Sequence, residues 1–207
     1  MAERMLRRYE DRDRMNHWFI ALMFVLAGLS GLAFFHPSMY FFSNLFGGGS
    51  WARILHPFLG VLMALSFLGL FLRLWKENRI TAADREWKAH MGDMLRGEKA
   101  KLPPVGKYNY GQKVVFWLMA VSLLVLLATG LLFWRPYFAP SVPIPVARAA
   151  VLLHAISAVV LILATIVHVY AAIWVKGTVR AMTRGTVSES WARLNHPLWH
   201  QDVTKGR

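Results

Sequence analysis

The chain has no cysteine among its 207 residues, so it supplies no disulfide, no iron–sulfur ligand and no Cys-x-x-Cys-His attachment for a covalent haem. Acidic residues are scarce: 11 Asp and Glu stand against 24 Lys and Arg, a formal charge of +13. From His36 to Ser50 there is no Lys or Arg at all. Basic residues concentrate in the N-terminal tail (Arg4, Arg7, Arg8, Arg12, Arg14), between the second and third apolar runs (Lys76, Arg79, Arg85, Lys88, Arg96, Lys99, Lys101, Lys107) and in the C-terminal tail (Lys176, Arg180, Arg184, Arg193). Such a patterned excess argues for a membrane topology, with no role for nucleic acid. An Ala-x-Ala cleavage pattern is missing after the first apolar run, which is too long for a signal core and is expected to remain in the mature protein.

What is abundant is apolar surface: 56% of residues are hydrophobic, with nine Trp. Four runs reach the length of about 20 residues that a bilayer requires, over about 15–35, 54–74, 112–134 and 147–175. The expected fold is therefore all-α, an integral membrane bundle of four transmembrane helices in one domain spanning 1–207. The positive-inside rule places both termini and the 75–111 segment in the cytoplasm, with 36–50 and 135–146 on the other side. The basic face suits anionic lipid headgroups and haem propionates.

Local signals refine the outline. Helix one is expected to begin near Met15 and stop at His36-Pro37, followed by the breaker run Gly47-Gly48-Gly49-Ser50. Pro57 is expected in the first turn of helix two, where a missing N–H is tolerated. A short surface helix is expected around Thr81–Met94, and helix three should open at Asn109. No internal repeat stands out.

Four histidines, His17, His56, His154 and His168, fall inside the apolar runs. Ionisable groups there are costly and mark functional sites by default. His154 and His168 are 14 residues apart, about 3.9 helical turns, so both leave nearly the same face about 21 Å apart along the axis. That is too far for one shared ion and suits two flat metal macrocycles stacked across a bilayer. Matching depths pair His56 with His154 on the non-cytoplasmic side and His17 with His168 on the cytoplasmic side. Four positions after each stands a small residue: Ala21, Gly60, Ala158 and Ala172. The alternative role for such a histidine is an interhelical hydrogen bond, and small residues also serve plain helix contacts. His36, His90, His196 and His200 read as surface or interface residues, with His36 the nearest competitor of His56.

Four motifs carry a family resemblance: Arg53-Ile54-Leu55-His56-Pro57; the run from Gly106 to Lys113, which includes Tyr108-Asn109-Tyr110-Gly111-Gln112; Trp134-Arg135-Pro136-Tyr137; and Trp174-Val175-Lys176-Gly177. Together they resemble the gamma subunit, cytochrome b556, of respiratory formate dehydrogenase, over essentially the whole chain. The resemblance implies two b haems with the ligand pairs above, and a complex with an iron–sulfur subunit and a molybdenum or tungsten pterin catalytic subunit. It further implies a bacterial inner-membrane location, higher-order assembly of the complex, and electron delivery to menaquinone or ubiquinone. On the same ground Asn109, Gly111, Gln112 and His168 form the quinone pocket. Asn109 and Gln112 also fit a capping box.

Formate oxidation is not expected of this chain alone. Arg53, Arg135 and Arg148 suit haem propionates, lipid phosphate or a partner subunit. The sequence departs from the family where Asn195-His196 precedes Pro197, in place of a histidine pair. Competing readings are a cytochrome b serving a nickel–iron hydrogenase or another oxidoreductase, and a haem-free anchor or transporter.

Overall fold

The computed structural model describes residues 3–98 and 102–205; Lys99 and Lys101 of the basic segment lie outside them. The four long apolar helices are α1 (Asp11–Phe35), α2 (Gly49–Leu74), α5 (Tyr110–Leu132) and α6 (Ile144–Trp174). Each is long and apolar enough to cross a membrane. The protein is an all-α integral membrane bundle. Shorter helices are α3 (Ala82–Ala89), α4 (Met91–Leu95), α7 (Thr178–Arg184), α8 (Glu189–Asn195) and α9 (Pro197–Lys205). A 3-10 helix covers Pro37–Phe46.

Helix starts differ from the expected ones for identifiable reasons. The first helix begins at Asp11 because its charged first turn is paired: Asp13 accepts from Arg73 at 2.6 Å and Asp11 from Arg14 at 2.8 Å. Acidic groups also suit the positive end of the helix dipole. The second helix begins at Gly49, directly after Gly47 and Gly48, whose φ values of 84° and 99° close the 3-10 helix and turn the chain. Pro57 is therefore inside α2 and not in its first turn. A membrane helix tolerates this, because neighbouring groups can satisfy the freed carbonyl.

The chain divides into two compact units. One comprises Met15–Leu72 and Leu118–Val167. Its core gathers Met23 and Ala27 from α1, Met63 from α2, Leu123 from α5 and Leu161 from α6. Large apolar side chains such as Leu65, Leu124 and Leu163 point outward, the arrangement a lipid solvent favours. Helices in lipid gain no hydrophobic free energy from meeting one another, so interhelical hydrogen bonds count. Asn16 Nδ2, for example, donates to the Ser66 carbonyl at 2.9 Å, a contact worth about 0.6 kcal/mol.

The other unit comprises the N-terminal segment through Arg14, Arg73–Trp117 and the chain from His168 onward. The sequence reading missed its small antiparallel sheet, in which β1 (Met5–Arg7) pairs with β2 (Thr186–Ser188), Leu6 opposite Val187. Leu6, Tyr9, Ala181, Val187, Trp191, Ala192 and Trp199 form its core. Arg8 is buried there among the rings of Tyr9, Tyr108, Trp191 and Trp199. His196, expected at a surface or an interface, is 2% exposed inside this core; its Nδ1–H donates to the Gly106 carbonyl at 2.8 Å.

Candidate functional site: a histidine pair inside the membrane bundle

His56 of α2 and His154 of α6 face each other with ring centroids 6.2 Å apart and planes at 67°. Each ring is held by a hydroxyl on a different helix. His56 Nδ1 lies 2.9 Å from Ser30 Oγ on α1, and His154 Nδ1 lies 3.0 Å from Thr129 Oγ1 on α5. Each hydroxyl already donates its single proton to its own helix: Ser30 to the Ala27 carbonyl at 3.0 Å, Thr129 to the Val125 carbonyl at 2.6 Å. The hydroxyl oxygens therefore accept from the imidazoles, which puts the proton on Nδ1 and leaves the Nε2 lone pair of both rings free.

A glycine follows each hydroxyl and admits the ring. A Cβ on Gly31 would stand 3.1 Å from His56 Cε1, and one on Gly130 would stand 3.3 Å from His154 Cε1. Phe133 adds an edge contact to His154 at 5.2 Å between centroids. Ser30 and Thr129 are buried. None of Ser30, Gly31, Thr129 and Gly130 was singled out by the sequence reading, because a Ser or Thr in an apolar helix is ordinarily satisfied by its own backbone.

This donor set fits a haem. A metal–imidazole bond is about 2 Å, and the ring centroid lies about 1 Å further back, so two imidazoles on opposite sides of one iron stand with centroids about 6 Å apart. Among the described residues no group of three or more His, Asp or Glu converges on a metal-ion position. Two nitrogens alone are too few for a bare ion, which takes four ligands or more. They are the complement of a macrocycle that brings its own four. One turn beyond His56, a Cβ on Gly60 would meet no atom within 4 Å, which leaves room for a broad ring.

The other candidate residues are placed as follows. His17 lies in α1, half-buried, in edge contact with Trp18 at 5.3 Å. His168 lies on α6 with an exposed side chain. The two belong to different units. His36 caps the 3-10 helix, its Nδ1 accepting from the Ser38 amide at 3.2 Å, a use separate from the pair. Arg53 stacks on Phe34 at 5.9 Å.

Asn109 and Gln112 form a reciprocal cap at the start of α5. The Asn109 amide donates to Gln112 Oε1 at 3.0 Å and the Gln112 amide to Asn109 Oδ1 at 2.9 Å. Both side-chain oxygens are engaged by the cap, and both NH₂ groups stand outside it. The approach to this cap is fixed carbonyl by carbonyl. Val105 accepts from the Leu198 amide at 3.1 Å, Gly106 from His196 at 2.8 Å and Lys107 from Arg8. Next to Gln112, Lys113 donates to Asp84 at 2.8 Å in a buried ion pair, and Asp84 also accepts from the Thr81 amide at 2.6 Å. Burial raises the Asp84 carboxyl, but the Lys113 and Thr81 contacts outweigh it and hold the group below its ordinary value.

Comparison with known proteins agrees with a haem-binding membrane bundle. The chain is 45% identical over 198 residues to the cytochrome b556(fdo) subunit of formate dehydrogenase from Escherichia coli (strain K12), covering 96% of this chain and 93% of that one. It is 39% identical over 202 residues to the nitrate-inducible cytochrome b556(Fdn) subunit of the same organism, covering 98% and 93%. The Haemophilus influenzae cytochrome b556 subunit is 37% identical over 195 residues, covering 94% and 82%. Residues 8–185, which include every histidine of the four apolar runs, match the model of the prokaryotic cytochrome b561 family, and the chain belongs to that family of membrane cytochromes b.

Proposed function

We propose that this chain is the membrane cytochrome subunit of a formate dehydrogenase, passing electrons from an iron–sulfur subunit through two b haems to menaquinone or ubiquinone near the cytoplasmic face. The observation that carries the reading is the His56/His154 pair, two imidazoles with free Nε2 atoms at the spacing one iron requires. A bound haem supplies a one-electron carrier whose potential depends on its axial ligands and burial. His56 and His154 hold the first haem. The second is assigned to His17 and His168 on their matching depth in the sequence and on the family resemblance.

The quinone assignment rests on Asn109, Gly111, Gln112 and His168. The cap immobilises the Asn109 and Gln112 side chains while leaving their NH₂ groups to donate to a quinone carbonyl. Gly111 presents no side chain between them. Electrons from formate enter through a molybdenum or tungsten pterin subunit and its iron–sulfur partner; this chain does not oxidise formate alone. The names of the full-length relatives favour formate over other donors. The basic segments are proposed to face the cytoplasm of a bacterial inner membrane, in contact with anionic lipid, within a higher-order assembly of the complex.

The test is a dithionite-reduced minus oxidised spectrum with quantified haem, on the purified chain and on His→Ala variants at positions 17, 56, 154 and 168. Two haems per chain are expected, the 56 and 154 variants losing one and the 17 and 168 variants the other. A folded chain with no b-type absorption sinks the reading.

A further inference from the structure

The two histidines of the pair are held by the same device built twice. On α1, Ser30-Gly31-Leu32 is followed by Phe34 and Pro37; on α5, Thr129-Gly130-Leu131 is followed by Phe133 and Pro136. In the helix that comes next along the chain, Ala52 precedes His56 by four residues and Ala150 precedes His154 by four. Both alanines are buried. Each half thus supplies a hydroxyl, a glycine beside it, and a histidine from the following helix whose Nδ1 meets the hydroxyl at 2.9 or 3.0 Å. The sequence reading saw no repeat because the matched positions are few and widely spaced, and they share a role only once the helices pack.

We propose that Ser30 and Thr129 are positioning residues that fix the Nδ1–H tautomer of His56 and His154 and thereby set the potential of the haem these histidines share. The proposal rests on that haem assignment. The physical route is the hydrogen bond on the far side of each ring. An imidazole that donates Nδ1–H to an oxygen is oriented, cannot present Nδ1 to the metal, and is a more basic ligand through Nε2. A more basic ligand favours the oxidised iron. Because the Ser30 and Thr129 hydroxyls lie within hydrogen-bond distance of the Ala27 and Val125 carbonyls, their protons have an acceptor on their own helix and their oxygens are left to accept from the rings. The glycines complete the arrangement by letting each ring reach its hydroxyl.

The experiment is a redox titration, followed optically, of the haem-loaded full chain and of Ser30→Ala, Thr129→Val and Thr129→Ser. Thr129→Val is isosteric, so it removes the acceptor while keeping the shape even where Ser30→Ala loosens α1. Expected is a shift toward the reduced form of about three- to tenfold for each of Ser30→Ala and Thr129→Val, about 30 to 60 mV upward at 59 mV per tenfold. Both shifts fall on the same haem, the second haem wave stays in place, and Thr129→Ser keeps the parental potential. Haem content that falls while the potential stays fixed would show a purely structural role and overturn the proposal, as would shifts on two different haems. His56→Ala and His154→Ala in the same series separate the two levels: if neither removes a haem, the site assignment fails before the positioning role is reached.

Discussion

A methyl group in place of the Gly31 hydrogen would stand 3.1 Å from Cε1 of His56, and the equivalent group at Gly130 3.3 Å from Cε1 of His154. Contacts this tight force the ring to give, and the ring cannot move far without leaving its hydroxyl partner. Gly28, on the same helix as Gly31, has no atom within 4 Å of its would-be Cβ, which makes it the matched control. Gly31→Ala and Gly130→Ala are expected to cost about 1 to 1.4 kcal/mol of overpacking, about five- to tenfold in haem affinity, whereas Gly28→Ala leaves it unchanged. Haem titration of the apo chain reads both. Equal affinities for all three variants would show that the rings are not held where the structure puts them.

At the scale of elements, the start of α5 is a helix cap for which a quinone role is proposed, and one pair of substitutions separates the two. Asn109→Asp and Gln112→Glu keep the side-chain oxygens that accept from the backbone amides and replace each NH₂ donor with a carboxylate oxygen that can only accept. If these residues merely cap the helix, quinone reduction by the complex is unaffected. If the donors hold a quinone carbonyl, the KM for quinone rises several-fold while haem content stays constant, and this is the expected result. Asn109→Ala loses the cap as well, at about 1 kcal/mol. The adjoining Asp84–Lys113 pair is buried on both sides, so Asp84→Ala strands an ammonium away from water. It is expected to destabilise the protein by about 3 kcal/mol, read as a lower thermal midpoint in detergent.

The four spanning helices were legible because about 20 apolar residues in a row have few other uses, and the closeness of the His56 and His154 rings because depth along a helix follows from residue count alone. The 3-10 segment at Pro37–Phe46, the earlier starts of α1 and α2 and the β1–β2 pairing were not. Each depends on partners far away in sequence, such as Arg73 for Asp13 and Val187 for Leu6. The hydroxyls behind the two histidines were hidden for a related reason. A Ser or Thr in an apolar helix usually bonds its own backbone, and Ser30 and Thr129 do so; only packing shows that the same oxygen also accepts from an imidazole on another helix.

For the molecule as a whole, the unit that carries the Asn109 cap is tied together by a neutral histidine in a place where a charged one would be expelled. His196 donates Nδ1–H to the Gly106 carbonyl, and its Nε2 faces the Arg8 guanidinium at 3.4 Å. Burial first, and the Arg8 charge second, push its pKa down from 6.5 to about 3. In the unfolded chain the group takes its proton near 6.5, so the folded state binds fewer protons between those values. Stability is therefore complete above pH 6.5 and falls as pH drops through the window toward 3, by up to about 1.4 kcal/mol per pH unit. Asp84, held below its ordinary 3.8, adds its own loss only at the acid end. Trp191 and Trp199 lie in the same core, so tryptophan fluorescence of the detergent-solubilised chain should report an acid transition whose onset lies well above pH 4. His196→Gln, which cannot titrate, should move that onset down toward the range where carboxylates protonate. Because His196 and Arg8 anchor two of the three carbonyls leading to Asn109, quinone reduction should fail in the same pH window while the haem proposed for His56 and His154 keeps its spectrum. Coincident loss of both signals, or an onset that His196→Gln leaves in place, would remove His196 as the acid-sensitive tie.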